Sequence, residues 1–505
     1  MLFNSYTYLL LFLPLVALGF QLLRKGGPRL PTLWLVLVSL AFYGVWNPDP
    51  TNTWSSRYLL LILGSCGFNY FVGCRLSQLK QTAPGKSLLA IGIAVNLGLL
   101  GYFKYAGFFA GLLTSLTGWP GAIPTIILPL AISFFTFLQV AYLVDAWQGK
   151  TAGYRFTDYL LFVTFFPHLI AGPLIHHREM MPQFARNRNR GIRANDFSVG
   201  ITLLALGLFK KVVLADYLAR SASPIFDLAA ADGRPPTSGE AWAGALAYTL
   251  QLYFDFSGYS DMALGSARIF GIRFPLNFHS PYKAASVIEF WRRWHITLSR
   301  FLRDYLYIPL GGNRKGSSRR YVNLFLTMLL GGIWHGAGWT FILWGALHGG
   351  LLCMNHAWLE IRKRLRLPPL AKPIAIGLTF LAVLCGWVLF RSESFPAAAR
   401  IFAAMAGLDG FTGWPPDSVQ VVRDTRAIRP IIIGLGICWF LPNTQQLMKR
   451  YLPALGIREF PELRPGPYRW WHWRPTLPWA FFTLAVLYGV GREFDKVSEF
   501  IYFQF

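Results

Sequence analysis

Charge is what this sequence has least of, and acid least of all. Asp and Glu total 23 against 48 Lys and Arg, and charged residues make up only 14% of 505. A soluble chain of this size carries about 25%, so an ordinary water-soluble globule is excluded. Cysteine is also sparse. The five (Cys66, Cys74, Cys353, Cys385, Cys438) form no CxxC and nearly all lie in apolar blocks, which excludes a disulfide framework and a cysteine metal cluster. No GxSxG elbow, phosphate loop or dinucleotide fingerprint is present. Nor is there a repeat, a low-complexity run or a domain linker. The opening MLFNSYTYLL lacks the basic region and cleavage site of a signal peptide, and it reads as a retained helix.

What the chain has in quantity is hydrocarbon: 54% hydrophobic residues, 16% of the chain aromatic. These fall in blocks of about 17–25 residues, the length that crosses a bilayer. Clear examples are Tyr6–Leu23, Tyr58–Cys74, Val199–Leu218 and Ile374–Phe390. Others, such as Tyr159–Ile170, Trp242–Phe254 and Tyr321–Ile333, are too short to cross upright and read as buried, broken or re-entrant helices. The expectation is an all-α polytopic membrane bundle of roughly 11–13 spanning, re-entrant or interfacial helices. It forms a single domain over 1–505 with its core at 120–360.

The net charge of +25 sits in short loops: RKGGPR (Arg24–Arg29), FARNRNRGIR (Phe184–Arg193), NRKGSSRR (Asn313–Arg320) and IRKRLR (Ile361–Arg366). That is the positive-inside pattern. It places these loops in the cytosol, the amino terminus outside, and the bilayer rather than nucleic acid as the partner. A lip this basic also suits an anionic substrate.

One stretch departs from the plain hydrophobic pattern. Between Val287 and Ile308 apolar residues recur in alternating steps of four and three, predicting an interfacial helix over about 286–308 with aromatic and arginine faces. On that wheel His295 falls on the buried side with Trp291 and Trp294, whereas Arg292 and Arg300 face away. Ile296 is an apolar misfit among the polar positions.

The other notable stretch is GGIWHGAGWTFILWGALHGG, Gly331–Gly350. An imidazole within a membrane bundle is costly unless it is paired or used. Glycines bracket His335, so the backbone there is free to bend, and Trp334 and Trp339 would wall the space it faces. A buried neutral imidazole is available as a base. His348, within a straighter helical run, reads as a satisfied packing histidine. His168 and the pair His176–His177 lack a third residue at metal-ligand spacing, and no metal is expected. Asp255 and Asp261 read as structural, pairing with arginines or lining a cavity.

The motifs FDFSGYSDMA (254–263), PLNFHSPYKAASVIEFWRRWHITLSRFLRDYLYIPLGG (275–312) and LGGIWHGAGWTFILWGALHG (330–349) together resemble the membrane-bound O-acyltransferase family. Within it they resemble the bacterial branch that O-acetylates alginate and related polysaccharides. FFPHLIAGPLIHHREMMPQF, FKKVVLADYLA and the terminal EFIYFQF fit the same branch. The resemblance implies a helical ring thinned in the middle around a cytosolic funnel. It implies His335 as catalytic histidine and His295 as the second functional one. The donor would be acetyl-CoA, a substrate rather than a bound cofactor. A periplasmic SGNH-type partner would receive the acetyl group, and the location would be the bacterial inner membrane. Acyl transfer needs a base and a stabilised oxyanion; Trp291, Trp294, Trp334 and Trp339 would keep water out. Arg292, Arg293 and Arg300 suit the phosphates of CoA or contacts to lipid headgroups. Two rival readings are D-alanyl transfer from a carrier-protein thioester and a glycan-precursor transporter with broken helices.

Overall fold

The computed structural model describes residues 2–45, 56–118, 126–151, 153–170, 172–187, 191–231, 233–408, 410–411, 428–463, 469–494 and 501. The expected connection over Gly410–Pro430 and all of the terminal EFIYFQF except Ile501 lie outside them. The described residues are mostly helical, with no strand among them. In chain order the helices are α1 Leu13–Leu23, α2 Leu30–Gly44, α3 Ser56–Gln78, α4 Ala83–Thr117, α5 Ile132–Trp147, α6 Phe156–Thr164, α7 Phe166–Leu169, α8 His177–Asn187, α9 Ala194–Leu208 and α10 Asp216–Ala230. There follow α11 Ser238–Ile269, α12 Val287–Arg293, α13 Ile296–Leu302, α14 Gly316–His335, α15 Trp339–Arg364, α16 Lys372–Arg391, α17 Phe395–Met405, α18 Ile428–Phe440, α19 Thr444–Leu447 and α20 Leu477–Gly491.

Among the described residues, five stretches are long and apolar enough to cross a membrane: Thr7–Gly26, Tyr58–Gln78, Ala83–Thr117, Ala194–Ala230 and Lys372–Arg391. Several of the short blocks belong to longer elements: Tyr321–Ile333 lies inside the 20 residues of α14, and Trp242–Phe254 inside the 32 of α11. Tyr159–Ile170 is broken at Phe165 into α6 and α7. Val199–Leu218 runs through a π-helical turn, Phe209–Ala215, a geometry that commonly marks functional positions.

Contacts cluster in two compact units, each drawn from separate stretches of chain. One comprises Met1–Leu204, Ser260–Pro275 and Pro453–Gly456; the other Ala205–Tyr259, Leu276–Leu452 and Ile457–Phe505. In the first, α3, α4 and α5 pack around a buried amide network in which Asn96 donates to Asn69 at 2.7 Å and Ser65 donates to Gln139 at 2.7 Å. Apolar side chains such as Leu60, Phe71 and Leu116 point outward, 67–76% exposed. Water would penalise that surface, and hydrocarbon would not.

The second unit is built around the α14–α15 hairpin. These helices meet backbone to backbone. A Cβ added at Gly345 would stand 2.6 Å from the Met328 carbonyl oxygen, and one at Gly332 2.4 Å from that of Phe341. Neither carbonyl can retreat without breaking its helix. Gly345→Ala should therefore cost about 1–3 kcal/mol by overpacking and lower the thermal midpoint of the detergent-solubilised protein. Gly350→Ala on the same helix, where nothing lies within 4 Å, should leave the midpoint unchanged. Equal midpoints for the two variants would contradict the close crossing.

Candidate active site

The predicted continuous helix over 286–308 is instead two helices. Ser286 caps α12, accepting from the Glu289 N–H at 3.1 Å, and α12 ends at Arg293. Trp294 is extended and His295 takes a left-handed φ of +41°, after which α13 begins at Ile296. A non-glycine residue in that region is strained by about 1–3 kcal/mol and persists only where its surroundings hold it. Asn277 supplies the hold. Its carbonyl oxygen accepts from the Ile296 N–H at 3.0 Å. Its side-chain Oδ1 accepts from Thr297 Oγ1 at 2.9 Å and lies 3.1 Å from His295 Nδ1. Because Oδ1 is an acceptor, Nδ1 must carry the proton. Nε2 is therefore left with its lone pair, buried and without a hydrogen-bond partner among the described residues. Phe256 packs edge-on at 4.7 Å and Phe278 lies parallel at 6.4 Å. Burial pushes the imidazole down to about 3, so it is neutral at physiological pH.

The α14–α15 turn positions His335. The helix stops at that residue and the backbone runs extended through Gly336 and Gly338 before α15 starts. The break falls where the glycines predicted it. His335 is 6% exposed. Its ring meets Trp334 at 4.8 Å, Trp344 at 5.0 Å and Phe390 at 5.3 Å. Trp339, the other tryptophan expected to wall this space, is 51% exposed. The ring from α15 that covers His335 is Trp344, one and a half turns further on.

Trp344 also lies 4.9 Å from His348. His348 is fully buried, with Trp291 at 5.2 Å and Trp387 at 6.1 Å. Neither of its ring nitrogens has a hydrogen-bond partner among the described residues, so it is not the satisfied packing histidine the sequence suggested. Trp294 stacks on Phe290 at 5.6 Å and touches Trp387 at 4.8 Å and Phe278 at 5.1 Å. A continuous aromatic wall thus runs from His295 through Phe278, Trp294, Trp387 and Trp344 to His335, with His348 set into it. Trp344, Trp387, Phe390 and Asn277 were missed in the sequence. The spacing of Trp344 and His348, four residues apart on one helix, is the signal that was available.

The three arginines separate. Arg292 is exposed. Arg293 is committed to structure, bridging Glu289 at 2.9 Å and Glu462 at 3.2 Å and donating to the His279 carbonyl at 3.2 Å. It is thereby removed from the candidate phosphate contacts. Arg300 is half-buried on α13.

The remaining candidates resolve as follows. His168 Nε2 lies 3.0 Å from the Phe162 carbonyl oxygen, a structural tie. His176 and His177 do have a third residue, from α5: Nε2 of each lies 2.9 Å from Asp145 Oδ2. Tyr154 Oη adds a contact to His177 Nδ1 at 3.0 Å. Both imidazoles spend an N–H on one carboxylate oxygen, giving a hydrogen-bonded triad in which Asp145 and His177 are buried and His176 is half-buried. Asp255 pairs with a lysine instead of an arginine, at 2.7 Å from Lys211 Nζ, which also holds Asp216 at 2.7 Å.

Comparison with known proteins agrees with this architecture. Residues 125–391, more than half the chain, match the family described as MBOAT, membrane-bound O-acyltransferase family. The chain is 43% identical over 439 residues to the peptidoglycan O-acetyltransferase of Helicobacter pylori, covering 81% of this chain and 80% of the relative. It is 45% identical over 414 residues to the probable alginate O-acetylase AlgI of Pseudomonas putida, covering 80% of each. The teichoic acid D-alanyltransferase of Streptococcus thermophilus is more distant, 30% identical over 293 residues that cover 52% of this chain and 68% of the relative. A helical membrane protein whose buried histidines line an aromatic wall, matched over most of its length by O-acetyltransferases, belongs to the membrane-bound O-acyltransferase family and is an acyltransferase.

Proposed function

We propose that the protein takes an acetyl group from cytosolic acetyl-CoA and delivers it across the bacterial inner membrane for O-acetylation of an extracytoplasmic polysaccharide. A periplasmic SGNH-type protein is the immediate recipient. The observation that carries the choice of acetyl is the similarity to two O-acetyltransferases over four-fifths of the chain, against about half for the D-alanyl relative.

In this reading a hydroxyl of the acceptor attacks the thioester carbonyl. Its proton passes to His335, the C–S bond breaks, and the imidazolium returns the proton to the leaving thiolate, releasing free CoA. His295 offers a lone pair at Nε2 and no proton, so its part is to accept a hydrogen bond from the acceptor hydroxyl. It does not donate to the oxyanion. The aromatic wall excludes water, which would otherwise compete as nucleophile and hydrolyse the donor. No bound cofactor or metal enters these steps.

The test is release of free thiol by the purified protein in liposomes, with an SGNH-type acceptor on the far side. Acetyl-CoA should support acceptor-dependent release of CoA, and a D-alanyl carrier-protein thioester should not. Turnover with the carrier thioester alone would replace acetyl with D-alanyl. No turnover with either thioester, alongside movement of a labelled glycan precursor, would favour transport.

A further inference from the structure

The basic loops were read above as topology signals, but three of their arginines, Arg24, Arg186 and Arg193, meet Arg268 and Arg273 and do more than mark a side. In the first compact unit, Arg186, Arg193, Arg268 and Arg273 line a partly open cavity of about 90 Å³, with Gly191, Gly271 and Asp196 completing the lining. Arg24, from the loop after α1, reaches the same wall: its Nη1 would lie 2.8 Å from a Cβ placed on Gly191. Gln21 fixes this approach, accepting from the Ile192 N–H at 3.0 Å. Gln183 fixes the opposite side, accepting from the Arg273 N–H and donating to the Arg273 carbonyl, both at 2.9 Å.

Four guanidinium groups thus line one small cavity with a fifth, Arg24, beside its Gly191 wall, and among the described residues Asp196 is the single carboxylate lining it. Asp196 is already engaged with Arg268, 2.8 Å from Nη2. Arg268 is 4% exposed, and its Nε has no hydrogen-bond partner among the described residues. The Nε of Arg24 is likewise buried and unpartnered. Burial and the neighbouring Arg273 charge hold Arg268 down at about 10, and Arg273 is lowered as well, with Arg186 among the repelling charges. Like charges held together in a partly buried space are costly unless a counter-charge joins them. The amino-terminal end of α9 opens beside Asp196 and adds its own positive dipole. The planar forks of arginine match phosphate oxygens in pairs, and the cavity holds several waters' volume, room for one phosphoryl group.

We propose that this cavity is a binding site for a phosphate monoester or diester, entered from the side of the basic loops. Two sources carry that chemistry: the headgroup of an anionic lipid, and a soluble phosphoester. The site is read from binding alone and does not rest on the acetyl donor assigned above.

The experiment uses the full chain in phosphatidylcholine nanodiscs at fixed ionic strength set with chloride. In one arm phosphatidylglycerol is added to the bilayer, and in the other adenosine 3′,5′-bisphosphate is added to the buffer. Thermal midpoint and native mass spectra are read for the wild type and for Arg186→Gln/Arg273→Gln. The wild type should gain stability and retain ligand in at least one arm, with affinity at least tenfold above that of the double variant. Gain in the first arm assigns a lipid, and gain in the second a soluble phosphoester. Without ligand the double variant should be as stable as the wild type or more so, because repulsion has been relieved. A merely structural role for these arginines predicts the reverse. Wild type and variant that respond alike in both arms would overturn the site.

Discussion

Replacing His335 with alanine should abolish most acyl transfer, lowering turnover by about 10²–10⁴-fold, the span a positioned general base contributes. The protein should still be extracted and purified, because His335 is the last residue of α14, beyond the glycine crossing at Gly332 and Gly345 that holds the hairpin together. His335→Gln, which keeps volume and polarity, should be nearly as inactive; near-normal CoA release by either variant would dismiss His335 as the base. His295→Asn makes a finer comparison. Asparagine tolerates the left-handed backbone that position demands, so the α12–α13 break survives while the Nε2 lone pair is lost. Its turnover should drop by about 10–100-fold with a smaller change in donor KM, the pattern of an interaction made with the acceptor hydroxyl in the transition state. A variant in which only donor KM rises would move His295 from the acceptor to the donor side.

The largest loss of stability is expected at Lys211. Its ammonium sits in the π-helical turn, 1% exposed, 2.7 Å from both Asp216 and Asp255, and the Ile501 N–H donates to the second oxygen of Asp255 at 3.3 Å. Lys211→Met preserves the stem but leaves two carboxylates buried together with no cation between them. Breaking a buried ion pair by removing one partner costs about 3–5 kcal/mol, enough to eliminate most folded membrane protein. The readout is the yield of monodisperse protein and its thermal midpoint. Lys211→Met combined with Asp216→Asn and Asp255→Asn should recover much of the loss, because neutralising all three removes the unpaired charge. If the single variant were as stable as the wild type, the triad would not be what holds this turn.

Much of the architecture was legible because the bilayer imposes simple rules. Apolar length marked the spans, and glycines marked where the backbone breaks after His335. The helical wheel put His295 on the buried side, and it is buried, but for a different reason. The wheel assumed one helix from Val287 to Ile308, whereas the chain resets its phase at His295. That reset explains Ile296: it opens a new helix and owes nothing to the old periodicity. Trp344 was not singled out because nearness in sequence to His335 stood in for nearness in space. Along α15 the residue four before His348 shares its face, and the residue that opens the helix does not.

Class, membrane residence, the resemblance to an acyltransferase and the two candidate histidines it proposes came from the sequence, because hydrophobic length and local motifs are properties of contiguous residues. The tertiary structure alone decided which proton His295 carries, which tryptophan covers His335, and that Asp145 joins His176 and His177. It also gathered Lys211 between two aspartates and four arginines, Arg186, Arg193, Arg268 and Arg273, around one cavity. Each of these is an electrostatic or packing relation between residues far apart in the chain, where energy depends on distance in space and sequence order carries no distance.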